Sequence, residues 1–215
     1  MGSKLCYYCD NKYYNWYVIE RLSSGIYTLQ NINTNLATGH WPGAVLNNGE
    51  VYKKDVCYIN LANYNENIKK MYNAMSVFEA DGGIDPLTEQ YSLNVNQNGF
   101  YLIPYRKYCQ APNGTTGDNV LPGQGNYLTA LRYAMAIWSA PRHIWSGSYH
   151  LRNNMFNEAY VMSSESGTQN TCGYTGYDQF SDYYFCPIFN VDIRKMSFRP
   201  SYSETGNVAY YIEPK

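Results

Sequence analysis

The chain has 215 residues, 25 of them tyrosine and 24 asparagine against only three histidines. With 45% hydrophobic and 15% charged residues it reads as an ordered single-core protein, since a disordered chain is poorer in aromatics and richer in charge. A net charge of −1, with no Lys/Arg run beyond the pairs Lys53-Lys54 and Lys69-Lys70, excludes an electrostatic footprint for nucleic acid, and no stretch approaches the roughly 18–20 apolar residues of a transmembrane helix.

In chain order, Met1 to Asp10 has no apolar signal-peptide core, so an outside location is expected either after signal removal or by lytic release, as for a phage particle. Cys6-x-x-Cys9 supplies half of a zinc site, but no second C-x-x-C or H-x-x-x-H completes it, and no metal or cofactor is expected. The six cysteines are too sparse in a chain of this length for a disulfide framework and read as structural thiols, free or paired.

Residues 13 to 30 predict a β-hairpin, with aromatic and β-branched runs on either side of Ser23-Ser24-Gly25. Residues 31 to 50 read as loop, and a strand is expected over Val51 to Ile59. The helical spacing of Ile68, Met71, Tyr72, Met75 and Phe78 predicts a helix from about Asn63 or Asn65, stopped by Asp81-Gly82-Gly83, with the methionines in the core. A strand at Gly99 to Tyr105 and a polar loop from Ala111 to Gly125 precede a second predicted helix over Asn126 to Trp138, ended by Pro141. Beyond it come short strands at Ile144-Trp145-Ser146, at Glu158 to Met162 and at Phe185 to Ile193. In the last of these, Asn190 and Asp192 alternate with Phe189, Val191 and Ile193 as on a strand with one wet face.

The order of two helices, then Ile144-Trp145-Ser146-Gly147-Ser148-Tyr149, then Asn157-Glu158-Ala159-Tyr160-Val161, then a polar loop and a closing strand near Phe198-Arg199-Pro200 carries a resemblance. It resembles the C-type-lectin-like modules of bacterial surface and phage proteins, over roughly residues 57 to 83 and 126 to 199. The resemblance implies an α+β, C-type-lectin-like fold with two helices packed on short antiparallel strands, here with an N-terminal β-hairpin. Residues 1–56 and the loop 84–125 lie outside the resemblance, and with no obvious boundary one domain over 1–215 is expected, in which 1–56 is a hairpin or docking element and 57–215 the lectin-like core. The calcium-sugar motifs of animal lectins, Trp-Asn-Asp and Glu-Pro-Asn, are absent.

In such a scaffold the loops carry function, and two segments have the interleaved Tyr, Asn, Asp, Arg and Gly that suits a recognition surface. The first is Tyr149, His150, Arg152, Asn153 and Asn154, next to Trp145, and the second contains Tyr174, Tyr177, Asp178, Tyr183 and Tyr184. The expectation is a non-enzymatic ligand- and receptor-recognition module on a phage virion or bacterial surface. Its partners would be a carbohydrate or protein receptor, with a homo-oligomer or virion assembly, no nucleic acid and no membrane insertion. The alternatives are a structural virion protein (head decoration, collar or tail component) packing its Tyr/Asn-rich surface on neighbouring subunits, and a glycan-active enzyme built on two of the carboxylates Glu79, Asp81, Asp85, Glu89, Glu158, Glu165, Asp178 and Asp182.

Overall fold

The computed structural model describes residues 3–31, 38–39, 57–58, 66–85, 90–95, 99–102, 109–110, 125–127, 143–152, 156–163, 171–172, 177–178, 183–202 and 208–215. Side chains are described for 3–31, 66–85, 90–95, 99–102, 184–201 and 209–215, and the backbone alone elsewhere.

Strands Lys4–Cys9 (β1), Lys12–Ser23 (β2), Ile26–Asn31 (β3), Thr38–Gly39 (β4) and Cys57–Tyr58 (β5) precede a helix, Glu66–Met75 (α1), that tightens into a 3-10 turn at Ser76–Phe78. Gly83–Ile84 (β6), Tyr91–Ser92 (β7), Tyr101–Leu102 (β8), Cys109–Gln110 (β9) and Gly125–Tyr127 (β10) follow. His143–Arg152 (β11), Phe156–Ser163 (β12), Thr171–Cys172 (β13), Tyr177–Asp178 (β14) and Tyr183–Tyr184 (β15) come next. The chain closes with Ile188–Asp192 (β16), Met196–Tyr202 (β17) and Val208–Pro214 (β18).

Eight strands make the main sheet, in the order β17-β18-β1-β2-β3-β16-β8-β5, with β1 and β18 parallel and the other neighbours antiparallel. Two tight turns hold its N-terminal half. Asp10 and Asn11 both have positive φ (51° and 59°), the conformation that a two-residue β1–β2 hairpin demands and that Asp and Asn tolerate. Gly25, at φ 80°, serves the β2–β3 turn, and its carbonyl accepts from the Ile193 N–H at 2.9 Å. The first 31 residues therefore do not stand apart from the rest. They form the middle of a sheet that β16, β17 and β18 from the C-terminal end and the short strands β8 and β5 complete.

The hydrophobic cluster under α1 lies on one face of this sheet, while Tyr17, Thr28, Gln30, Ile188 and Asn190 on the other face are buried as well. Ile68, Met71, Ala74 and Met75 project from the helix onto Leu5, Tyr14, Trp16, Leu29, Phe189, Val191 and Ile212, with Phe78 and Phe100 completing the layer. Its centre is aromatic. Phe100 meets Phe189 edge-on at 5.2 Å and Tyr72 at 5.3 Å, the geometry in which a positive ring edge faces a negative ring face.

The fold expected from the sequence is corrected here. Among the described residues the protein is mostly β-sheet with one short helix, not two helices packed on short strands. Asn126 and Tyr127, expected to open the second helix, instead form the central strand of the small sheet β13-β10-β9, facing Gln110 and Cys109. Residues 128–142 lie outside the described residues. The physical reason at Asn126 and Tyr127 is that tyrosine favours a pleated surface and that two flanking strands supply backbone partners.

A second correction concerns β16. All five of its residues are buried, including Asn190 and Asp192, so the strand has no wet face. Asn190 Oδ1 accepts from Thr28 Oγ1 at 3.1 Å and from the Tyr101 hydroxyl at 2.8 Å, binding three neighbouring strands together. Asp192 is held by Arg194, whose side chain donates at 2.8 and 2.7 Å and keeps the carboxyl below its ordinary range. These partners are what make two polar residues tolerable in a buried strand.

Candidate functional site

Trp145, Tyr149, His150, Arg152, Tyr177, Asp178, Tyr183 and Tyr184 lie on the second sheet, β14-β12-β11-β15-β4. Tyr149 and Tyr177 register on either side of Ala159, and His150 and Asp178 on either side of Glu158. Trp145 registers with Val161, Arg152 with Phe156, and Tyr184 with Ile144 across the parallel β11–β15 pair. The pairing slips between Trp145 and Tyr149, where Ser146-Gly147-Ser148 breaks the register; such irregularities re-aim the residues beyond them. Tyr149, His150 and Arg152 were expected in a loop and lie in a ten-residue strand, while Tyr177, Asp178, Tyr183 and Tyr184 belong to two-residue strands. Asn153, Asn154 and Tyr174 lie outside the described residues. Glu158, at the centre of the second row, did not stand out as a binding residue. The alternation of its strand with its neighbours was the available signal.

A second group was missed altogether. The chain contains four tyrosine doublets, Tyr7-Tyr8, Tyr13-Tyr14, Tyr183-Tyr184 and Tyr210-Tyr211. In a strand successive side chains point to opposite faces, so a doublet can send one ring inward and one outward. Tyr7 packs edge-on to Phe78 at 4.9 Å, Tyr14 is buried, and Tyr210 packs against the core. Their neighbours form a stripe on the outer face. Tyr8 and Tyr13, at 54% and 50% exposure, stand 4.8 Å apart, Tyr13 lies 6.0 Å from Tyr211, and the Arg199 guanidinium covers the Tyr211 ring at 5.5 Å. Arg199 also reaches Glu213 at 3.6 Å.

The side chains of three cysteines are described, Cys6, Cys9 and Cys186. Cys6 and Cys9 are three residues apart on β1, an odd spacing that puts their side chains on opposite faces of the sheet. Cys186 is buried, and desolvation pushes its thiol up to about 12, which leaves it an unreactive core group. Among the described residues no cluster of three His, Cys, Asp or Glu is placed to hold a metal ion, and no helix is long and apolar enough to cross a membrane. Comparison with protein-family models, with curated proteins and with solved structures found no match.

Among the described carboxylates Glu79 has a raised pKa where Glu66 and Asp192 have lowered ones. Burial raises its pKa, opposed by hydrogen bonds from the Tyr72 hydroxyl at 2.9 Å and the Gly99 N–H at 2.6 Å. Its own carbonyl accepts from Lys195 Nζ at 2.7 Å, so the residue ties the end of α1 to the segment before β8 and to the turn before β17. This is a structural clamp rather than a reacting group. A carboxyl with a raised folded pKa contributes stability that is fully present below its ordinary value of 4.5 and lost as pH rises through the folded value. Glu79→Gln is therefore expected to gain stability relative to the parent chain on going from pH 4 to pH 7. Urea denaturation at the two pH values checks this, and an unchanged or reversed difference contradicts it.

Proposed function

We propose that this chain is a non-enzymatic ligand- and receptor-recognition module, displayed on a phage particle or bacterial surface, that binds a carbohydrate or protein through the β14-β12-β11-β15 sheet. The observation that carries this reading is the register that brings Tyr149 and Tyr177 to opposite sides of Ala159. A small residue in register between two aromatic ones on adjacent strands is a sequence pattern that suits recognition of a ring or an apolar group. The neighbouring register row holds His150, Glu158 and Asp178, residue types that can donate and accept hydrogen bonds. Tyrosine suits the role because it offers a stiff amphipathic contact at low entropic cost. The test is a glycan and whole-cell binding screen of the purified chain. Saturable binding to bacteria or a glycan class supports the reading; a chain inert until mixed with virion proteins supports a structural virion component instead.

A second reading, a glycan-active enzyme, is favoured by one observation: Glu158 and Asp178 are direct cross-strand partners. Like charges so placed repel each other, a cost that paired catalytic carboxylates accept. Hydrolysis of a bound glycan that Glu158→Gln abolishes would establish that activity, and binding without turnover leaves the recognition reading in place.

A further inference from the structure

We infer that the face of the main sheet turned away from α1 carries a buried hydration site, in which one ordered water molecule donates to Gln30 Oε1. One row of this face runs across five strands, with Lys4, Tyr17, Gln30, Ile188 and Tyr101 side by side in register. Thr28 lies two residues from Gln30 along β3, on the same face, and registers with Asn190. The face is polar where the layer under α1 is aromatic and aliphatic, yet it is closed. Tyr17, Thr28, Gln30, Tyr101 and Asn190 are each 6% exposed or less.

A closed polar face is stable only where its polar atoms have partners, because each gave up water on burial. Three of the five serve one another, since the Thr28 and Tyr101 hydroxyls both donate to Asn190 Oδ1. Gln30 stands apart. Its side chain belongs to a residue 2% exposed, and no hydrogen bond reaches its Oε1. The amide carbonyl is therefore an acceptor in need of a donor, and the oxygens nearest to it in the register are hydroxyls. The Tyr17 oxygen on the next strand and Thr28 Oγ1 on the same strand can each accept a further bond whatever their own protons do. Burial holds the Tyr17 phenol protonated, above its usual range, so the surroundings of the carbonyl stay neutral on that side. A molecule that donates twice, to a carbonyl and to a hydroxyl oxygen, meets this arrangement, and water is the one small enough for a face closed this far. A cation would also suit the oxygens, but Lys4 in the same row opposes it. Buried waters of this kind make about three hydrogen bonds to groups that lack protein partners.

The site belongs to the main sheet and does not depend on the recognition reading, so the two fail separately. A crystal structure of the full chain that shows ordered solvent is expected to place a water within hydrogen-bond distance of Gln30 Oε1. In solution, oxygen-17 magnetic relaxation dispersion counts long-lived internal waters. Gln30→Met, of similar length but without the carbonyl, is expected to show one such water fewer than the parent chain. The same variant is expected to unfold at a lower urea midpoint, because a water-bonded carbonyl has been removed; deleting an acceptor that nothing meets would leave the midpoint equal or higher. Should the variant fail to fold, the parent crystal structure alone decides. A protein donor, an additive or no density at Oε1, an equal water count, or a midpoint at or above the parent's each overturns the inference.

Discussion

Trp16→Ala is expected to lower the free energy of unfolding by about 3–5 kcal/mol, a large share of the stability of an ordinary domain. Trp16 is fully buried, stands 5.5 Å from Phe100 and 6.2 Å from Phe189 by ring centroid, and sits on the strand next to β1 and β3. Removing the indole takes away the largest side chain of the core and leaves a cavity between the sheet and α1 that fixed backbone on both sides cannot close. The indole N–H has no hydrogen-bond partner among the described residues. Trp16→Phe, which removes that donor and keeps most of the ring, is therefore expected to cost much less than Trp16→Ala. Denaturant midpoints for the two variants check the pair; equal losses would show that ring volume does not govern the site.

Asn190→Ala is expected to cost about 2–4 kcal/mol, more than its side-chain volume implies, because it removes the acceptor that the buried hydroxyls of Thr28 and Tyr101 now share. An unmet donor in a dry interior loses its water without gaining a partner. The check is a triple variant, Asn190→Leu with Thr28→Val and Tyr101→Phe, in which donors and acceptor vanish together. It is expected to recover part of the loss. A triple variant no more stable than Asn190→Ala would mean that the network does not carry the effect.

What could be read in the chain was local. The hairpin around Gly25 showed in two aromatic, β-branched runs with a glycine break, and it forms as β2 and β3. The helix showed in the three-and-four spacing of Ile68, Met71, Met75 and Phe78, all of them buried. The parallel pairing of β1 with β18 joins residues some two hundred positions apart, and no local pattern encodes such a contact. For the same reason Asn190 and Asp192 read as solvent-facing: alternation reports polarity, while burial depends on what covers the second face. Tyr149 to Arg152 read as a loop because polar residues alternate with apolar ones there, which is equally the pattern of a strand in a sheet. The outer tyrosines were overlooked because a doublet looks like one cluster until the strand separates its two rings.

The reading of the chain as a recognition module stands or falls with the aromatic rows of the second sheet, and the direct measurement is binding by the variant carrying Tyr149→Ser, Tyr174→Ser and Tyr177→Ser together. Titrated against the cells or glycan that capture the parent chain, and with an unchanged unfolding midpoint, the variant is expected to show no saturable binding. Binding at the parent affinity would contradict the account.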